Sequence, residues 1–272
     1  MASFDFDQAE GLRRMLAGPK PRVFTFLSAA TPEEKGAMLV NLGASLAQAG
    51  RDVLLLDACV ASEGISARLK AGRGNSLLQA AQQSRGEPAL DDVMQAMPQG
   101  FSVAALKRGV QKLPAAGTEG AQRLDDAFGV LTGRADIVVV DAELDGNDAF
   151  AIPALAETEI VVQASNSPAS IKAAYTLIKR VNGQLGRRPF SLLVTGASDK
   201  EAQLVYQNMA QAANRYLAVK LNSMGSVPPD EHLKKAMHLG RAVVDAFPLA
   251  GASVAFRRLA GKFVLSDAAA AR

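Results

Sequence analysis

One cysteine, two histidines and no tryptophan occur among the 272 residues. A lone Cys59 cannot close an internal disulfide, which fits a reducing compartment. His232 and His238 both lie far along the chain from Cys59. A Cys–His nucleophile pair therefore has no local support, and Cys59 reads as a small packed residue. No apolar run reaches the roughly 18 residues needed to span a membrane. Charged residues make up 21% with a net charge of +3 and no Lys/Arg stripe. That balance argues against nucleic acid as a partner and leaves weak attraction to an anionic membrane open. Residues 1–7 carry Asp5 and Asp7 where an export leader would carry basic residues before an apolar run. The expectation is a cytoplasmic protein, either free or held peripherally at the inner membrane.

What the chain has instead is a series of short runs rich in Val, Leu, Ile and Phe. Runs at 23–28, 53–57, 102–106, 137–141, 160–163, 190–195 and 217–221 are nearly continuous rather than alternating. That pattern suits strands covered on both faces. Helical stretches fall between them, at 33–48, 76–83, 119–132, 168–182 and 200–216. The alternation predicts a doubly wound, mostly parallel α/β sheet with helices on both faces. Residues 1–20 form a separate helix and linker, because Gly18-Pro19-Lys20-Pro21 breaks any helix. Residues 21–265 form the main domain, including an amphipathic helix over 252–264. Residues 266–272 form an Ala-rich tail expected to fray.

The loop after the first strand of such a sheet is where phosphates bind, on the amides of a helix N-terminus. Here it reads Ser28-Ala29-Ala30-Thr31-Pro32-Glu33-Glu34-Lys35-Gly36. Thr31 as N-cap, Pro32 at the first helical position and Glu34 at the third make a capping box. The box takes up amide donors that a phosphate needs, and Glu33 and Glu34 offset the helix dipole. Residues 23–42 nevertheless resemble the deviant Walker A segment of MinD/ParA-type P-loop ATPases: a strand, the loop GGKGGVGKT, then a helix opening toward Asn41-Leu42. Residues 50–58 resemble the second strand of that family.

The resemblance implies nucleotide-site positions at Lys35, Gly36, Asp57, Asp141 and Pro228. Lys35 is the motif lysine that is kept; by itself it also reads as an exposed helix lysine. Ala30 stands at the signature lysine and Gly36 at the magnesium-binding Thr/Ser. Cys59 takes the place of the catalytic Asp, and Thr195 and Gly196 take the places of the adenine-reading Asn-Arg. Asp141 is kept, but the glycine after it is shifted to Gly146. The Val227-Pro228-Pro229-Asp230 turn, beside adenine in the family, is kept. ATP with Mg²⁺ is the ligand the family implies. The replaced positions imply weak binding or none, no catalytic or metal residue is assigned, and no or very weak hydrolysis is expected.

Near the beginning, Asp7 and Glu10 form a second capping box, and Ala9, Leu12 and Leu16 share one helix face. This segment resembles the DQAxxLR element of FlhG/FleN-type flagellar number regulators. Its implied role is to dock on, or stimulate, the FlhF-type signal-recognition GTPase through Asp7, Gln8, Ala9, Leu12, Arg13 and Leu16. Residues 165–179 resemble the family's P-x-S-I-x-x-A-Y-x-L-I-K helix. Near the end, Phe256, Leu259 and Phe263 share a face opposite Arg257, Arg258 and Lys262. Two readings stand: a membrane-targeting helix, as the family implies, or a helix docked on its own core. The family further implies flagellar C-ring proteins or transcriptional regulators as partners, and a homodimer. Two rival functions are a slow, dimerising ATPase and a MinD-like pseudo-ATPase of another cell-pole, secretion or division process.

Overall fold

Buried Val, Leu, Ile and Phe runs become the strands, and the polar, capped stretches between them become helices. A computed structural model describes residues 20–61, 63–83, 90–109 and 111–270, with 265–270 described by backbone alone. The chain enters at β1 (Arg22–Ser28), followed by α1 (Pro32–Gln48), β2 (Val53–Ala58), α2 (Ile65–Arg68) and α3 (Leu77–Gln83). Next come β3 (Gln95–Ala96), β4 (Ser102–Ala105), α4 (Glu119–Thr132) and β5 (Ile137–Ala142). A 3₁₀ turn (Pro153–Glu157) leads to β6 (Glu159–Ser165), α5 (Pro168–Leu185), β7 (Phe190–Thr195) and α6 (Asp199–Leu217). The last elements are β8 (Leu221–Val227), α7 (Glu231–His238), α8 (Val243–Ala246) and α9 (Gly251–Ala270).

The sheet order is β3-β4-β2-β5-β1-β6-β7-β8, parallel except for the short β3–β4 pair. The expected doubly wound sheet is therefore present. Alternation along each strand divides the core in two. Phe24, Phe26, Val53, Leu55 and Val139 pack beneath α1, α8 and α9. Leu27, Leu54, Leu56, Val138 and Val140 pack beneath α3 to α6. Two polar groups, buried Asn41 and half-buried Asp230, fasten the first of these layers. Asn41 of α1 accepts from the Val243 amide at the start of α8, at 2.6 Å. Asp230 accepts from His232 in α7 and from Ala252 in α9, both at 2.9 Å, so a single carboxylate starts two helices. Burial works against its ionisation, yet these amides hold the Asp230 carboxyl below its usual range.

Two features differ from the expectations. The strand expected at 217–221 lies instead at Leu221–Val227, and α6 continues through Leu217. The apolar spacing of Leu217, Val219 and Leu221 imitates a strand. The true strand holds Asn222, Ser223 and Gly225 because it lies at the sheet edge, where one flank is wet. Gly225, at φ +130°, sits beside a bulge in the β7–β8 pairing and gives Leu259 room to approach. Second, β3, α2, α7 and α8 carry no periodic signal at their lengths and were not expected. The backbone of α9 is helical to Ala270.

Helix α9 settles against its own domain. Phe256, Leu259 and Phe263 are each 1% exposed, and the Phe263 ring lies edge-on to Phe24 at 4.4 Å. The basic face is tied down as well. Arg258 pairs with Asp199 at 2.9 Å, Lys262 donates to the Met224 carbonyl, and Arg257 donates to the Pro248 carbonyl. Hydrogen bonds from Arg258 and Ser226 lower the Asp199 carboxyl to about 2. Of the two readings of this helix, the docked one describes this structure. Among the described residues, no helix is long and apolar enough to cross a membrane.

Phe263→Ala should therefore lower stability by about 3–5 kcal/mol in urea unfolding, and flotation with anionic phosphatidylglycerol vesicles should not change. An unaltered urea midpoint with lost vesicle binding would instead make this helix a lipid anchor.

Candidate functional site

Parallel strands end together, so β1, β2 and β5 deliver Ser28, Asp57 and Asp141 to one rim of the sheet. The loop from Ser28 leads into α1 through the expected cap. Thr31 Oγ1 accepts from the Glu34 amide at 3.3 Å, and Glu34 Oε2 accepts from the Thr31 amide at 3.0 Å. The neighbouring amides are engaged too. Ala29 donates to the Gln163 carbonyl at 2.8 Å and Ala30 to Ser28 Oγ at 3.2 Å. Lys35 donates to the Thr31 carbonyl at 2.9 Å. Five amides between Ala29 and Lys35 thus bond within the chain, and Pro32 has none to offer.

The Lys35 side chain is not an exposed helix lysine. It turns inward to Asp141, with Nζ 2.9 Å from Oδ1, and the two side chains are 13% and 1% exposed. Nζ also lies 3.5 Å from the Cys59 sulfur. Burial acts against the ammonium, but Asp141 and Cys59 outweigh it and hold the Lys35 pKa above its ordinary 10.5. Burial pushes the Asp141 carboxyl up while Lys35 pulls it back. The Cys59 thiol is pushed far up by burial and by the surrounding carboxylates, so it stays protonated at neutral pH. It is packed in the core, 6% exposed.

The carboxylates hold the β2–α2 loop from three sides. Asp141 Oδ2 accepts from the Ile65 amide at 2.9 Å. Asp57 accepts from the Cys59 and Ser66 amides, at 3.1 and 3.0 Å, and from the Ser66 hydroxyl. Glu143 accepts from the Val60 and Ala61 amides, and Lys107 donates to the Val60 carbonyl at 2.7 Å. Arg68 lies across Gly36 so closely that a Cβ there would overlap its side chain. Oxygen and sulfur atoms of Asp57, Cys59 and Asp141 lie within 4.8 Å of one another, the grouping expected of a cation site. The Lys35 ammonium is the cation among them.

Lys35, Gly36, Asp57 and Asp141 thus lie together at this rim. Pro228 does not join them. It ends β8, three strands across from β1, beside Gly251 at the start of α9. Asp7, Gln8, Ala9, Leu12, Arg13 and Leu16 lie outside the described residues. Sequence reasoning gave no role to Glu143, Ser66, Arg68 or Lys107. The available signal was slight: an acid two residues beyond a buried strand-end Asp, facing a loop short of acceptors.

No protein-family model matches the chain. The antiactivator FleN of Pseudomonas aeruginosa PAO1 is 31% identical over 224 residues, covering 82% of this chain and 79% of the relative. The chain belongs to the FleN family. Solved structures of MinD and ParA proteins share the fold of this chain. The MinD cell division protein of Aquifex aeolicus superposes with a TM-score of 0.64 at 15% identity, covering 89% of this chain and 96% of that one. A ParA family ATPase from Chlorobium tepidum TLS gives 0.63 at 18%, covering 88% and 97%.

Lys35→Met leaves Asp141 buried without its cation and should cost this FleN-family chain about 3–5 kcal/mol. A lysine held above its ordinary value stabilises fully below 10.5, and that contribution is lost as pH rises through the folded value. Wild type should therefore shed stability above pH 10.5, and Lys35→Met should lack that alkaline step. Parallel urea titrations across pH check both; an alkaline step of equal size in the variant counts against the pair.

Proposed function

We propose that this chain regulates flagellar number or placement as an FlhG-type protein that binds partners and does not turn over nucleotide. The observation that carries this reading is the internal engagement of the amides from Ala29 to Lys35. A triphosphate would have to break those bonds and displace the Glu34 carboxylate, whose charge repels it. Three further features support the same reading: Gly36 has no hydroxyl for magnesium, Arg68 fills the space beside it, and Lys35 is committed to Asp141. Cys59, a protonated thiol, cannot orient water as a carboxylate does. The residues present do not fit Mg²⁺-ATP as the family pattern holds it, and no catalytic step is assigned. That a relative is described as an antiactivator supports a regulatory role exercised by contact with another protein.

Calorimetric titration with Mg²⁺-ATP should give no binding heat, and phosphate release should stay at background. Phosphates found on the amides of residues 31–36 in an ATP-soaked crystal would overturn the reading.

The partner contact is assigned to residues 1–20, the segment that resembles DQAxxLR. Arg13 there can supply a positive charge to a GTPase active site, which speeds phosphoryl transfer greatly. Deleting residues 1–20, or Gln8→Ala or Arg13→Ala alone, should abolish stimulation of an FlhF-type GTPase while thermal unfolding stays nearly unchanged. Full stimulation by the truncated protein would remove the segment from this role.

A further inference from the structure

A groove runs along the outer side of α1, starting at Gly36 and Arg68 next to the Lys35–Asp141 pair and leading away from it. Its floor is Gly36, Ala37 and Val40, and its walls are Leu69, Leu233 and Met237, enclosing about 410 Å³. Cations stand around it: Arg68, Lys70 and Arg241, with His238 beside them. None of the three full cations has a carboxylate within salt-bridge distance among the described residues. Arg68 donates to the Pro32 carbonyl and to the Met237 sulfur, and Arg241 donates to the Asp245 carbonyl. No acid lines this part of the groove among the described residues. Glu33 and Glu63 face a separate cleft on the other side of Arg68. Beyond Gln99, Gly240 and Arg241 the groove continues into a cleft of about 520 Å³ reaching Gln48 and Asp245. Following α1 from Gly36 to Gln48, its length is about 18 Å.

We propose that this groove docks an acidic amphipathic segment of a partner protein. The length suits a helix of about 12 residues, and the apolar floor takes its anchoring side chains as in other helix-in-groove contacts. Met237, 41% exposed, lends the wall an adaptable surface. Uncompensated cations on the rim require carboxylates on the occupant. A second copy of this chain, applying the same face, would set Arg68, Lys70 and Arg241 against their own kind. Residues 1–19 set Asp5, Asp7 and Glu10 against Arg13 and Arg14, which supplies little net negative charge. A lipid surface is flat, whereas this floor is recessed between α1, α7 and the turn before β4. The inference holds whether or not the α1 loop binds nucleotide.

The test is selection of a random displayed peptide library against the immobilised full-length chain, followed by fluorescence anisotropy of the enriched peptides. Enrichment of acidic sequences with apolar residues at helical spacing is expected. Their binding should weaken with salt and fall roughly tenfold or more in Arg241→Glu and Met237→Ser, with thermal unfolding unchanged in both variants. No enrichment, or enriched peptides that bind both variants as tightly as wild type, would overturn the proposal. Two other results would overturn it in favour of a different occupant. One is self-association in sedimentation that Met237→Ser abolishes, which makes the occupant a second copy. The other is peptide binding seen only after residues 1–20 are deleted, which makes it the chain's own beginning.

Discussion

Lys35 and Asp141 join the first turn of α1 to the end of β5, and much of the upper rim of the sheet is arranged around that contact. A buried ion pair gives little net stability, because desolvating two charges offsets most of their attraction. Its effect is to fix geometry. With Lys35 on one oxygen of Asp141, the other oxygen is aimed at the Ile65 amide, which sets where α2 begins. Asp57 and Glu143 then close the loop between β2 and α2. Removing the lysine would leave two close carboxylates, Asp57 and Asp141, facing each other beside a buried thiol.

The same rim solves a general difficulty of parallel sheets. Helices that start at strand ends expose several amides each, and those donors need acceptors. Proteins that bind phosphates there leave the amides free in the absence of ligand and fill them on binding. Here the acceptors are Thr31, Glu34, Asp57, Asp141 and Glu143, all from the chain itself. The cation is likewise internal.

Much of this was legible in the sequence. The strand runs at 23–28, 53–57, 137–141 and 190–195 are long and apolar enough to mark buried parallel strands, and the structure has them within a residue or so. The Thr31–Glu34 box was readable because capping is local chemistry. The site was half legible. Lys35, Asp57 and Asp141 were identified by position, but the lysine's inward turn depends on the distance between α1 and β5, and no local pattern encodes that. Glu143 and Arg68 escaped for the same reason, since their partners lie 83 and 36 residues away. The β8 strand was misplaced because an edge strand needs little apolar sequence. The role of the α9 aromatics was left open because a docked amphipathic helix and a lipid-bound one share the same periodicity.

Gly64 has a consequence for how this chain tolerates change. An added Cβ there would overlap the Asp57 carboxylate, so the backbone must stay bare at that point. Between Ala29 and Glu34, by contrast, the loop carries alanine, threonine, proline and glutamate and holds no glycine. In this chain the requirement for a bare backbone falls in the loop after the second strand and not in the loop after the first. Substitutions at the exposed Glu33 should be absorbed as surface variation, whereas any side chain at position 64 presses on the carboxylate that anchors α2. Among related chains with the same self-satisfied rim, invariance would be concentrated at the glycine after β2 and would fade in the loop where phosphate-binding proteins keep theirs.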